Sequence, residues 1–296
     1  MSVISIQTKK MGDLQTVTEV ANTDLLIVHD GSGMKTVTMG DFVGKDMDSL
    51  TQKVTGFEGE IAPLIYNGIA HNGIYRGKYL GTSVTAEQYA AISAGTFEDL
   101  YIGDYWVIGG VNYCIAAFDY YWNCGDNATP PHHAVIVPDK NLYNAVMNTS
   151  NTTAGGYVGS QMYTTNLAQA KTTIKAAFSG HVVNHRIYLT NAVSNGYASA
   201  GAWVNSEVDI MNEQMVYGSG IFSPVSTGSA VPANYRVVKN QLPLFAMNPA
   251  MLNTRQDYWL RDVITASDFA FVFNYGDAAY GSASASCGVR PAFCIS

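Results

Sequence analysis

Apolar positions change period along the chain, and each change marks a predicted element. Leu25-Leu26-Ile27-Val28 is a short apolar run that meets Asp30-Gly31-Ser32-Gly33 and then Lys35-Thr36-Val37-Thr38. Residues Asp24 to Phe42 therefore predict a small β unit with a turn between two strands. From Met47 the spacing becomes helical. Met47, Leu50, Val54, Phe57, Ile61 and Leu64 fall on alternating a and d positions of a heptad, with Asp46 as a cap and Pro63 at the end. Gly56 and Gly59 weaken this helix by about 1 kcal/mol each relative to Ala. The stripe suits a short parallel bundle of chains or one amphipathic helix packed on its own domain.

The main domain is expected to start near Gly73. Thr85-Ala86-Glu87-Gln88 has the form of a capping box, with Tyr89 and Ile92 on one face and Gly95 as the stop. Tyr105-Trp106-Val107-Ile108, Gly109-Gly110 and Tyr113-Cys114-Ile115 predict a hairpin. A second helix is predicted over Asn166 to Phe178, with Leu167, Ala170, Ile174 and Ala177 on one face and Gly180 near its end. Strands are predicted at Ala134 to Val137, Arg186 to Leu189 and Val289 to Ile295. Ser223 to Ala233 reads as a polar, Pro-containing loop.

Composition narrows the function classes. Hydrophobic residues make up 47% of the 296, enough for a sizeable core, whereas charged residues make up only 13%, about half the usual share. Surface polarity must then come from Ser, Thr, Asn, Gly and Tyr. Net charge is −7 without a Lys/Arg cluster, which argues against nucleic acid as a partner. No apolar run approaches the ~20 residues of a membrane helix, so no membrane insertion is expected. Met1-Ser2-Val3-Ile4-Ser5 lacks the basic-then-apolar pattern of a signal peptide. Cys114, Cys124, Cys287 and Cys294 sit at no metal-site spacing and are expected to be free thiols. Cys287 and Cys294, seven residues apart, would lie on opposite faces of one strand.

Candidate chemistry is sparse. His132-His133 beside Asp126, and His181 with His185, are the metal-like groupings, and a structural role suits them better. Glu207, Asp209 and Glu213 are where paired carboxylates could support glycoside hydrolysis; internal pairing is the favoured reading. Arg261 and Arg290 lie in apolar surroundings, so pairing with carboxylates or carbonyls that locks the two brackets together is expected. No cofactor or metal is called for.

The last 39 residues stand apart. Tyr258-Trp259-Leu260-Arg261-Asp262 and Gly288-Val289-Arg290-Pro291-Ala292-Phe293 bracket a run of Phe, Tyr, Asp, Asn, Ser, Ala and Gly, the residue types that recognition loops use. Lys, Glu, Gln, Met and Trp make up 41 of the 296 residues, yet none occurs in the 26 from Asp262 to Cys287. These are the types that an NNC codon cannot encode. An ordinary Gly/Ser/Ala-rich loop is the alternative.

The Trp259–Val263 bracket, the following Phe269-Ala270 and the terminal Gly288–Phe293 resemble the C-terminal block of a family of phage structural proteins. Related domains have a C-type-lectin-like fold, and some are variable proteins of diversity-generating retroelements, in which template adenines are randomised. Similar short matches occur at Tyr75–Thr82, Thr85–Phe97, Ile102–Trp106, Ala117–Asp119, Gly155–Ser160 and Glu213–Gly218. Asp24–Gly31 and Lys35–Phe42 resemble attachment segments of phage fibres.

The resemblance implies an α+β chain with an attachment segment at 1–44, a short helix at 45–65 that could form a trimeric coiled coil, and a C-type-lectin-like domain at 73–296. It implies a virion fibre or receptor-binding protein, not an enzyme. Its N-terminus would join other virion proteins, it would be a homotrimer, and it would bind a bacterial surface protein or glycan. The implied contact residues are Asp268, Phe271, Phe273, Asn274, Tyr275, Asp277, Tyr280 and Ser282, with Phe269 as an anchor. If 269–277 is extended, Phe269, Phe271, Phe273, Tyr275 and Asp277 share one face. A core reading buries that face, whereas the resemblance exposes it. A purely structural decoration protein and a polysaccharide depolymerase stay open as alternatives.

Overall fold

The computed structural model describes residues 25–29, 33–38, 50–54, 70–127, 130–190, 193–194, 197–198, 201–223 and 240–296. Contacts divide the chain into two units, Met1–Ala62 and Pro63–Ser296. In the first, β1 (Leu25–His29) pairs antiparallel with β2 (Met34–Thr38), with Ile27 opposite Thr36. This is the predicted hairpin, although Asp30–Ser32 of its turn lie outside the described residues. Residues 50–54 are helical and fully on the surface. Met47, Phe57, Ile61 and Leu64 of the heptad lie outside the described residues, as does the expected loop beyond Ser223.

The second unit is mostly sheet with few helices, and its described residues form no closed barrel. Its strands are β3 (Tyr79–Gly81), β4 (Tyr105–Ile108), β5 (Val111–Phe118), β6 (Ala134–Pro138), β7 (Tyr143–Val146), β8 (Val182–Val183), β9 (His185–Thr190), β10 (Val193–Ser194), β11 (Tyr197–Ala198), β12 (Gly201–Ser206), β13 (Val208–Ile210), β14 (Tyr258–Val263), β15 (Asp268–Val272), β16 (Ala278–Ser282), β17 (Ser286–Val289) and β18 (Pro291–Ile295). The helices are α1 (Ala86–Ala94), α2 (Leu167–Ala177), α3 (Glu213–Tyr217) and α4 (Pro243–Met247). The larger sheet runs β13-β18-β6-β5-β4-β3, with β8 also on β18. A five-stranded sheet runs β16-β15-β14-β17-β7.

Local sequence explains several of these elements. Thr85 and Gln88 form the reciprocal capping box of α1, and Gly95 closes the helix. The Gly109-Gly110 turn joins β4 to β5 as expected. On α2, Leu167, Ala170 and Ile174 are buried at helical spacing. A π-helical turn, Met162–Asn166, precedes α2, and the apolar spacing carried no sign of it. The unit is already tied in ahead of Gly73: His71 is buried, and Asn72 exchanges two hydrogen bonds with the Phe118 backbone. The centre of the larger sheet is packed by Tyr113, Phe178 and Phe293, with ring centroids 5.0–6.0 Å apart.

The expected strand Val289 to Ile295 is instead two strands in two sheets. Pro291 lacks an N–H and has a fixed φ. At the junction the buried Arg290 donates to Pro138 O and Met251 O, both at 2.8 Å. Cys287 and Cys294 therefore belong to different sheets, not to opposite faces of one strand. All four cysteines are free thiols.

Candidate functional site

The implied contact residues lie on the β15–β16 hairpin at one edge of the five-stranded sheet. Its register sets Asp268 opposite Ser282, Ala270 opposite Tyr280 and Phe271 opposite Ala279. The chain does not stay extended to Asp277. It turns at Asn274-Tyr275-Gly276, where Gly276 N donates to Phe273 O and Phe273 N to Asp277 O, both at 2.7 Å. Gly276 has φ +95°, a value that costs little only without a Cβ, so the turn closes as a three-residue hairpin loop with a glycine bulge. The Tyr217 hydroxyl donates to Gly276 O at 3.1 Å and anchors the tip.

This geometry divides the candidates. Directly paired residues share a face and successive residues alternate. Phe271 therefore faces away from Tyr280. On Phe271's side an aromatic row leads outward: buried Trp259 meets Phe271 at 5.9 Å, Phe271 meets Phe273 at 6.3 Å, and Phe273 meets Tyr275 at 4.8 Å. Phe269 is fully buried, Phe271 and Phe273 are partly buried, and Tyr275 is 64% exposed. The aromatic face is thus graded, anchored at one end and open at the other. Asp277 is exposed at the tip, and the Asn274 side-chain oxygen is buried without a partner. Asp268 and Ser282 lie at the far end of the hairpin, where Asp268 accepts from the hydroxyls of Thr265 and Ser267.

Tyr280, on the opposite face, is 49% exposed and meets Phe222 at 5.1 Å. Phe222 and its neighbour Ile221, also exposed, were not among the expected contact residues. Their placement comes from Glu213. This fully buried carboxylate accepts from the backbone N–H groups of Ile221 (2.8 Å), Phe222 (3.1 Å) and Ser223 (2.9 Å), and from the Ser223 hydroxyl (2.6 Å). An Asn212 cap starts α3 beside it. No periodic pattern could have linked Glu213 to a loop eight residues on.

The two brackets hold the hairpin from below. Trp259 is fully buried, and its Nε1 donates to Ala145 O at 2.9 Å. The β14–β15 register breaks between Trp259 and Val263. Within that irregularity Arg261 N donates to Met211 O at 2.9 Å, and Asp262 Oδ2 accepts from Glu213 N at 2.6 Å. Burial and the neighbouring Glu213 push the Asp262 carboxyl up to about 7. Arg290 lies over the Tyr258 ring at 5.0 Å, and Tyr258 pairs in parallel with Gly288. A Cβ on Gly288 would sit 1.9 Å from Asn141 Nδ2 and 2.7 Å from Asp257 O, so this close approach requires glycine. Both arginines bond backbone carbonyls, as expected; those of Ile210, Pro138 and Met251 lie outside the brackets, and Arg290 reaches the first bracket through the Tyr258 ring.

The remaining candidates scatter. Asp119, not Asp126, partners the histidine pair: His132 Nδ1 is 2.7 Å from its carboxylate and His133 N donates to it at 3.0 Å. Asp126 instead pairs with Arg186. Burial pushes the His133 imidazole down to about 3. His181 stacks on Tyr89 at 3.5 Å. Glu207 pairs with Lys175 at 2.8 Å. Asp209 accepts from the Tyr157 hydroxyl at 3.0 Å and lies 3.3 Å from His185 Nε2, a close approach without hydrogen-bond alignment. Burial opposes the charged form of Asp209; His185, Arg261 and Ser206 outweigh it and hold the carboxyl below its ordinary range. Glu207, Asp209 and Glu213 thus have three separate sets of partners. Among the described residues no group of three or more His, Cys, Asp or Glu could hold a metal ion, and no helix is long and apolar enough to cross a membrane. Compared with protein-family models, curated proteins and solved structures, the chain gave no match.

Proposed function

We propose that this chain is a receptor-binding protein of a phage fibre, with a C-type-lectin-like C-terminal domain that grips a bacterial surface protein or glycan. The observation that carries the reading is the graded aromatic row. Its inner end is packed on buried Trp259, while its outer end, Tyr275 on a glycine-closed turn, is open. A rigid base limits the entropy lost on binding, and aromatic rings offer contact area with few rotors. The same stretch lacks every residue type that NNC codons exclude, which fits a surface that is diversified while its brackets stay constant.

An NNC-randomised library at Phe271, Phe273, Asn274, Tyr275, Asp277 and Ser282 tests this. Most members should express as soluble protein with one cooperative unfolding transition, and their adsorption to a panel of bacterial strains should differ. A library that is largely insoluble would show these side chains to be core. Uniform adsorption across folded members would place the contact surface elsewhere.

Leu50 and Val54, exposed on the helical residues 50–54, support self-association through the segment 45–65, since an apolar stripe left open to water is costly. Light scattering on the intact chain should give three times 31.9 kDa. A clean monomer at micromolar concentration would reject the trimer.

A further inference from the structure

Strand β7 and the π-helical turn before α2 line an open groove of about 400 Å³, within the roughly 300–1,000 Å³ of small-ligand sites. Its walls are tied down by hydrogen bonds. The Tyr143 hydroxyl donates to Asn166 O at 2.7 Å, Asn166 Nδ2 donates to Val146 O at 2.8 Å, and Gln161 N donates to Asn148 Oδ1 at 2.9 Å. The side-chain amides of Gln161 and Gln169, which line the groove, make no hydrogen bond among the described residues. Thr165 adds a hydroxyl, and Asn166 has its side-chain oxygen to spare. No ionisable carboxylate, amine, guanidinium or imidazole lines the groove. π-helical turns strain the helical ladder and occur often where a site is being shaped. Here one brings Gln161, Thr165, Asn166 and Gln169 to a common opening.

We infer that this groove binds an uncharged hexopyranose unit, at a site separate from the hairpin tip. A carboxamide carries both donors and an acceptor, which suits vicinal hydroxyls that also do both. The half-buried Tyr143 supplies an aromatic wall for a C–H face. An anionic ligand would lose water without meeting a cation. An extended peptide would need open strand-edge carbonyls, but Ala145 O is taken by Trp259 Nε1 and Val146 O by Asn166. The register also relates the groove to the aromatic row. Tyr258, Gly288 and Asn144 share one side of the sheet, so Tyr143 and Ala145 lie on the other side with Trp259 and Phe271. Tyr143 and Ala145 of the groove thus share a face with the aromatic row, while Asn144 and Val146 line it from the other side of the strand.

The test is a side-chain amide NMR titration of the intact protein with glucose, galactose, mannose and N-acetylglucosamine, with glucuronate as the charged comparison. At least one neutral sugar should shift the Gln161 and Gln169 amide resonances saturably. Affinity for it should fall at least about tenfold, or ~1.4 kcal/mol, in the Gln161→Ala/Gln169→Ala double variant, whose melting temperature should match the parent's. Glucuronate should bind more weakly. The inference is overturned by any of three results: no saturable shift with all four sugars, undiminished binding in the double variant, or tighter binding of glucuronate. Because neither glutamine belongs to the hairpin, failure here leaves the library experiment independent.

Discussion

Trp259→Ala is expected to destabilise the chain by about 3–5 kcal/mol, the range for large aromatic truncations in a core. The indole is fully buried, donates to Ala145 O across β17, and carries the edge of Phe271. Its removal opens a cavity, leaves a carbonyl without its donor and undercuts the aromatic row. Denaturant unfolding should register the loss as a lower midpoint. Tyr275→Ala, at the open end of the same row, should stay within roughly 0.5 kcal/mol of the parent, as surface changes do. If Trp259→Ala abolished adsorption to bacteria and left the unfolding midpoint alone, Trp259 would be a contact residue and the division between base and tip would be wrong.

Asp262→Asn is expected to stabilise the protein at about pH 8 and to leave it within ~1 kcal/mol of the parent at about pH 4. In the parent, burial and Glu213 raise the Asp262 carboxyl from an ordinary 3.8 to about 7. The native state therefore holds this proton more tightly than the unfolded chain does. Its contribution is complete below pH ~4, declines as pH rises through about 7, and is gone above that. The change corresponds to on the order of 4 kcal/mol. Asparagine removes the ionisation yet keeps an oxygen for the Glu213 N–H. His133 works in the opposite sense: its imidazole is lowered from 6.5 to about 3, so its contribution is present above pH 6.5 and lost as pH falls. Because His133 is common to both proteins, it cancels in their difference. Stability curves that run parallel from pH 5 to 8 would show that Asp262 is not the titrating group.

Elements whose signal is local are legible in the amino-acid sequence. The Thr85–Gln88 box and Gly95 mark α1 because a cap is satisfied within one helical turn. The β1–β2 and β4–β5 hairpins follow from turn residues between apolar strands. The buried face of α2 follows from residues spaced at the helical period, and the pairing of Arg261 and Arg290 with backbone carbonyls from the cost of burying an unpaired cation. In each case the deciding interactions lie a few residues apart or follow from residue type.

Other features were decided only by the tertiary structure. The break at Arg290 depends on carbonyls at Pro138 and Met251, which no pattern near residue 290 reveals. The outward turn at Asn274–Gly276 interrupts what alternation reads as a longer strand, and the Tyr217 hydroxyl reaching Gly276 O helps to hold it. Glu213 sets Ile221 and Phe222 beside Tyr280 because its carboxylate collects three successive backbone N–H groups, an arrangement without a period. Asp119 takes the histidines to which Asp126 is nearer along the chain, because folding sets partners by distance in space. The aromatic spacing of 269–277 is plain in the chain, but burial at one end and exposure at the other are not. Alternation assigns side chains to faces, whereas exposure depends on how much of the protein stands over each face.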